Sequence, residues 1–365
     1  MLIRKNISLE VIKSQLKMKQ EWIVNKLDHV LVTGANGFIG SKVIETLLDY
    51  GFQNIRCLVR TGRNVSKLQQ LASDTKANLE IIQGNLLARE VCTQIVKGVS
   101  VIYHLAAGVG KSFPDCFLNS VITTRNLLDA SITETALTRF VNISSIAVYT
   151  NENVPRGGVL DETCPVDSKF MERFEAYTYG KAKQDQLVLE YAKNQNLPYV
   201  IVRPSVVFGP GKAKITDRIG TDTFGIFLHL GLGNTIPLTY VDNCAEAIVL
   251  AGLRAGINGE VFNITDDDLP KSRQFLKQYK KQVKKITSIA VPYPVWYSFN
   301  ALWEKYSKWS GGQLPPVFNS RSCEIYWKRI RYSNRKAKEL LGWQPKVPMH
   351  DALQIFFSYM KAQYR

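Results

Sequence analysis

"HVLVTGANGFIGSKVIETLLDYG", residues 29–51, changes its hydrophobic rhythm halfway along. An apolar run of Val30, Leu31 and Val32 reads as a strand, and Val43, Ile44, Leu47 and Leu48 then recur at helical spacing. Between them lie Gly34, Gly37 and Gly40. Glycine lets a backbone bend sharply and come close to a pyrophosphate, and the first turn of a helix offers N–H groups with no partner inside the helix. Glycines alone are weak evidence. Their place between strand and helix predicts a dinucleotide-binding α/β fold.

The spacing is G-x-x-G-x-x-G preceded by Thr33, and here the chain resembles the extended short-chain dehydrogenase/reductase family, which includes NAD-dependent epimerases and dehydratases. The family's opening T-G-x-x-G-F-I-G is matched by Thr33, Gly34, Gly37, Phe38, Ile39 and Gly40, with Asn36 inside the turn. "IIQGNLL" (81–87) is similar to the G-D-L segment beside the adenine, with Asn85 in place of aspartate and Leu86 after it. "VIYHLAA" (101–107) resembles the fourth strand, so Leu105, Ala106 and Ala107 are expected along the cofactor. "NSVITTRNLLDA" (119–130) follows a family helix, with Thr123 where glycine is usual.

Further on, "PYVIVRPSVVFGPG" (198–211) resembles the R-P-x-x-V-x-G-P segment, whose Pro204 and Ser205 would face the nicotinamide. "IPLTYVDNCAEAIVLA" (236–251) resembles the Y-V-D-D/N element, with Asp242 and Asn243 expected to cap a helix, and "RYSNRKAKELLGWQPKV" (331–347) matches the L-G-W-x-P turn. The resemblance spans roughly residues 29–355. It implies a Rossmann-type, doubly wound parallel sheet with a smaller, mainly C-terminal substrate-binding subdomain. The expected division is a leader at 1–28, a dinucleotide-binding domain at 29–205 and a substrate side at 206–365, with 236–264 returning to the core. A homodimer is also implied.

The second strand, "NIRCLVRTGRN" (54–64), bears on the cofactor. An acidic residue at its end would bond a ribose 2′-hydroxyl, whereas arginine suits a 2′-phosphate. Arg60 stands there, with Arg63 close behind and no acid, so NADP(H) is preferred and NAD(H) is the alternative.

"AYTYGKAKQ" (176–184) carries two overlapping Y-x-x-x-K spacings, Tyr177 with Lys181 and Tyr179 with Lys183, and a third copy occurs at Tyr332 and Lys336. In a chain with 16 tyrosines and many lysines such matches arise by accident. Family members have an acid eight positions after the tyrosine and an apolar pair beyond it; Asp185, Leu187 and Val188 satisfy this only in the Tyr177 frame. Counting back four from Tyr149 in "RFVNISSIAVYT" (139–150) marks Ser145 as the third member, with Ser144 turned away. Hydride exchange between a secondary alcohol and nicotinamide requires a proton to join or leave the same oxygen. A phenol can carry it, but its free pKa of about 10 is high for a base at neutral pH. Lys181 is expected to lower that value and to bind the ribose, and Ser145 to hold the substrate oxygen. The reading is an NAD(P)-dependent oxidoreductase. Its alternatives are a nucleotide-sugar epimerase or dehydratase, and a cofactor-sensing scaffold without chemistry.

Sugar-nucleotide enzymes of the family often carry an arginine just before Y-V-D; this chain has Leu238 and Thr239, nearer the branch resembling 3β-hydroxysteroid dehydrogenases and dihydroflavonol reductases. An apolar alcohol or ketone is therefore expected, although the surplus charge and "GKAKITDR" (211–218) suit a phosphorylated substrate. The chain has 365 residues and a net charge of +16, which attracts anions. No nucleic-acid motif accompanies the charge, and "KSRQFLKQYKKQVKK" (271–285) reads as the solvated face of a helix, so nucleic acid is not an expected partner. Six cysteines without C-x-x-C and only four histidines indicate free thiols in a reducing, cytoplasmic setting and no metal site. The first 28 residues read as an amphipathic leader helix, not a signal peptide. "VPYPVWYSFNALWEKYSKWSGG" (291–312) has two readings, a core-facing helix of the substrate side or an interfacial membrane segment.

Overall fold

In the computed structural model, residues 22–364 are described apart from 111, 153, 171–174, 213, 312 and 314–321. Most of the expected leader helix thus lies outside the described residues. Five strands come first: β1 (His29–Thr33), β2 (Asn54–Val59), β3 (Asn78–Gln83), β4 (Val99–His104) and β5 (Arg139–Ile143). The short β6 (Val159–Leu160), then β7 (Tyr199–Pro204) and β8 (Val206–Phe208), follow. Later come β9 (Gly220–Thr223), β10 (Ile226–His229), β11 (Leu238–Tyr240), β12 (Val261–Ile264), β13 (Ser288–Ala290) and β14 (Arg331–Tyr332).

Seven of these form one parallel sheet in the order β12-β7-β5-β4-β1-β2-β3. The order reverses between β1 and β4, which opens a crevice at the carboxyl ends of the strands. β1 shows why its run is apolar throughout. Val30 and Val32 join the core on one face and Leu31 the core on the other, because successive side chains of a strand point to opposite sides.

Eleven α-helices are described: α1 (Phe38–Asp49), α2 (Ser66–Asp74), α3 (Arg89–Val96), α4 (Phe113–Cys116), α5 (Thr123–Ser131), α6 (Ala176–Gln195), α7 (Val241–Leu253), α8 (Ser272–Gln282), α9 (Tyr293–Trp309), α10 (Ser322–Trp327) and α11 (Met349–Gln363). On one face α1 packs against α7, and α7 against β4 and β5; apart from Asp242, every residue of α7 is buried. On the other face lie α3, α5 and α6, burying Leu127, Leu128 and Val188 against Ile102 and Phe140. β12 pairs with β7, so the chain returns to the large sheet after leaving it.

Asp242 and Asn243 do not cap α7, contrary to expectation. The cap residue is Tyr240 without a side-chain bond, Asp242 pairs with Lys42 at 3.1 Å, and Asn243 bonds Asp266 and the backbone of Val347. Ahead of β1, Ile23 donates to the Leu253 carbonyl at 2.9 Å, and Trp22 lies against Tyr50 and Phe52. A smaller region holds the three-stranded sheet β13-β10-β9 and the pairs β8/β11 and β6/β14. No helix among the described residues is long and apolar enough to cross a membrane.

Candidate functional site

The crevice begins where β1 turns into α1. Gly34 has φ +68°, and a Cβ there would lie 3.1 Å from the Ala106 nitrogen. At Gly40 a Cβ would lie 2.2 Å from the Gly34 carbonyl oxygen, a contact with backbone that nothing nearby can relieve. The two glycines therefore set how closely strand, turn and helix approach. Gly37 precedes α1 without a side-chain cap, and the first turn holds no acid. The N–H groups at that end remain available to an anion.

Two connected cavities open from this turn. The larger, about 670 Å³, is walled by Asn36, Arg60, Asn85 and Leu86 on one side and by Leu105, Ala106 and Ala107 on the other. Arg60 donates to Asn119 Oδ1 at 3.0 Å, Asn36 to the Asn64 carbonyl at 3.2 Å, and Asn85 Oδ1 accepts from the Leu87 nitrogen at 3.0 Å. The smaller cavity, about 240 Å³, shares Gly34, Gly37, Phe38 and Leu105 with it. Its other walls include Ile39 and Gly40 at the helix start and Ser145, Tyr177, Lys181, Pro204 and Ser205 opposite. Ser205 Oγ is buried with no partner among protein atoms. A cleft with a glycine cradle at one end and an unsatisfied hydroxyl at the other fits a dinucleotide.

Ser145 follows β5 at the start of a single 3₁₀ turn, where its Oγ accepts from the Ala147 nitrogen at 3.2 Å. Tyr177, in the first turn of α6, lines the same small cavity as Ser145. Burial pushes the Tyr177 hydroxyl above its ordinary value, and Ser145 pulls the other way. Lys181, one turn further along, is buried and donates to the Ile143 carbonyl at 2.6 Å. Burial pushes its amine down to about 8, against the pull of Asp185. The expected lowering of the phenol by Lys181 is therefore not what this arrangement holds: the ammonium is engaged by backbone, and desolvation dominates both groups. Tyr179 packs edge-on against Phe113, ring centroids 5.5 Å apart, and Lys183 bonds Gln186; neither lines the cleft.

The support beneath these residues was less legible. Asp185 is buried and accepts from Asn142 at 2.8 Å, Ser144 at 2.9 Å and both Nε and a terminal nitrogen of Arg203. It thereby locks α6 to β5 and β7, with Ser144 spending its hydroxyl beneath the cleft. The Arg203 guanidinium lies 4.7 Å from the centre of the Tyr149 ring, and Tyr149 donates to Asn263 on β12. His104 bridges Thr33 and Thr124, at 2.9 Å to each. Sequence reasoning also missed a neighbouring cavity of about 410 Å³, which meets the small one at Val207. Phe208, Phe275, Tyr326 and Phe356 give it apolar walls, and Lys212 and Arg218 line it too. Residues from far along the chain meet there, and no local pattern announces them.

A Rossmann-type sheet with a glycine-cradled crevice defines a nucleotide-cofactor enzyme class. Within that class, residues 30–265 match the NAD dependent epimerase/dehydratase family, and the chain belongs to that NAD-dependent enzyme family. A 3 beta-hydroxysteroid dehydrogenase/Delta 5-->4-isomerase of Mycobacterium tuberculosis is 31% identical over 92% of this chain and 91% of its own length. A 3beta-hydroxysteroid-dehydrogenase/decarboxylase of Arabidopsis thaliana is 25% identical over 91% of this chain and 80% of its own. UDP-glucuronic acid 4-epimerase of Bacillus cereus, solved in complex with NAD, shares the fold with a TM-score of 0.66 at 23% identity, covering 92% of this chain and 100% of that one.

Proposed function

We propose that the chain catalyses NAD(P)-dependent interconversion of a secondary alcohol and a ketone on a largely apolar substrate. The observation that carries this is the convergence of Tyr177, Ser145 and buried Lys181 on the wall of one glycine-cradled cleft, with tyrosine and lysine one helical turn apart. Gly34, Gly37 and the start of α1 would hold the pyrophosphate, and Pro204 and Ser205 would flank the nicotinamide. When bound, the cofactor supplies or accepts the hydride. In the reducing direction the Tyr177 hydroxyl donates its proton to the carbonyl oxygen, which Ser145 holds by a hydrogen bond. Burial holds the phenol's proton more tightly, which suits the acid role. Oxidation is the reverse step, in which residue 177 as phenolate takes the alcohol's proton while the hydride leaves the carbon. Lys181 positions α6 through Ile143 and is the side chain available to a ribose.

Substrate chemistry follows from the aromatic walls around Phe208 and Tyr326, contributed mainly by residues after 205. The two relatives named for steroid dehydrogenation agree with an apolar alcohol or ketone. Lys212 and Arg218 beside those walls favour a substrate that also carries negative charge, and a nucleotide-sugar epimerase is the second reading on that observation. Arg60 beside the larger cavity supports NADP(H) over NAD(H). Free thiols at all six cysteines support a reducing, cytoplasmic setting.

Nicotinamide absorbance with a panel of sterols, ketones and sugar nucleotides tests the reading. Tyr177→Phe should lower kcat by about 100-fold or more while cofactor affinity is nearly unchanged, and Tyr179→Phe should keep most activity. The reverse pattern would overturn the assignment. Turnover of sugar nucleotides without net nicotinamide reduction would select the epimerase. Arg60→Ala should weaken NADPH binding by about tenfold or more, a loss of about 1.4 kcal/mol, and leave NADH binding nearly as it was; equal losses would remove the NADP preference.

A further inference from the structure

Helix α9 hides little of its apolar surface. Of its 17 residues only Trp296, Asn300 and Ser307 are buried. Val295 is 59% exposed, Leu302 67% and Trp309 81%, with Tyr306 exposed between the last two. Positions 295, 302, 306 and 309 share one side of a helix, about a third of a turn from the buried side. Lys305 borders the stripe on the flank away from the core.

A second apolar element lies in the same region. The β9–β10 hairpin turns through Phe224 and Gly225, at φ +52° and +80°. Asparagine or aspartate is favoured at the first position of such a turn, because a bulky side chain there is strained. Phe224 is nonetheless fully exposed, at 102%. Ile226 and Ile289 are exposed in the same small sheet. Leu228, the register partner of Ile289, packs into the cluster around Trp296, so the buried side of α9 rests against this small sheet. Basic groups flank it: Lys280 bonds Ser288 on β13 at 2.6 Å, and exposed Lys281, Lys284 and Lys285 lead into that strand.

We infer that α9 and the Phe224 hairpin form a docking surface for an anionic lipid bilayer. This goes beyond the redox reading and stands without it. An aromatic-rich amphipathic helix edged with lysine suits the headgroup boundary. The ring at the hairpin tip protrudes, as a wedge entering a soft phase does.

Flotation of the full-length protein with vesicles of phosphatidylcholine plus phosphatidylglycerol, against phosphatidylcholine alone, tests the surface. The expected result is at least about tenfold greater association with the anionic vesicles, reduced by salt. Phe224→Asn, which suits the turn and does not threaten folding, should lower association several-fold. Leu302→Glu with Trp309→Glu should abolish it, with NAD(P)H binding and the circular dichroism spectrum unchanged. Absence of flotation, or equal flotation by these variants, overturns the inference. So does a dimer that these variants dissociate in sedimentation without any vesicle binding, which would make a second copy the occupant.

Discussion

His104 and Lys181 are both buried, Lys181 on the wall of the cleft, and burial moves both toward their neutral forms. The His104 imidazole is pushed down to about 3 by desolvation, with the charge of Lys181 acting in the same direction. Its folded value lies below the unfolded value near 6.5, so between these limits the unfolded chain binds the extra proton. The contribution to stability is therefore present above pH 6.5 and is lost as pH falls toward 3, at up to about 1.4 kcal/mol per pH unit. The advantage of wild type over His104→Asn in urea unfolding should accordingly shrink between pH 7 and pH 4; a constant gap would contradict the assignment. The frame of the tyrosine was legible at this scale, because Asp185 sits eight positions on. The direction of the Lys181 ammonium was not, since the Ile143 carbonyl that receives it belongs to another strand.

At the scale of elements, α1 depends on a contact no side chain can fit. Gly40→Ala would force a Cβ against the Gly34 carbonyl, at an overpacking cost of about 1–3 kcal/mol. The shift needed to relieve it would move the helix N-terminus away from the cleft. A drop of about tenfold or more in NAD(P)H affinity is expected, read by fluorescence titration, and unaltered affinity would mean that the turn does not hold the cofactor. The basic stretch 271–285 was legible through its period: Phe275, Leu276 and Tyr279 of α8 are buried, while Lys277 and Lys281 face solvent. Periodicity served less well for α9, whose two apolar sides look alike in sequence although only one meets the protein. The capping expected at Asp242 and Asn243 likewise failed, because the bonds of Asn243 go to Asp266 and Val347, outside its own helix.

Across the whole molecule, the C-terminal segment is tied to α7 and the core it covers by several contacts, of which Trp343 buries the largest side chain. Trp343 is fully buried, and its indole nitrogen donates to the Asn243 carbonyl on α7 at 2.9 Å. Trp343→Ala should cost about 3–5 kcal/mol in chemical denaturation, a loss that also loosens α7 against α1. A change well under 1 kcal/mol would mean that the segment packs independently.

Local chemistry is written in order along the chain, and it was enough for the strand-turn-helix opening, the alternation that buries β1 on both faces and the family motifs from Thr33 to Trp343. Those features depend on the period of side chains and on the conformational freedom of glycine, both properties of neighbouring residues. The closed Asp185–Arg203 network, the aromatic cavity joining Phe208 to Phe356 and the exposed side of α9 depend on which distant segments meet. Only folding brings them together, so the proton chemistry at residue 177 is set as much by what encloses it as by the residue itself.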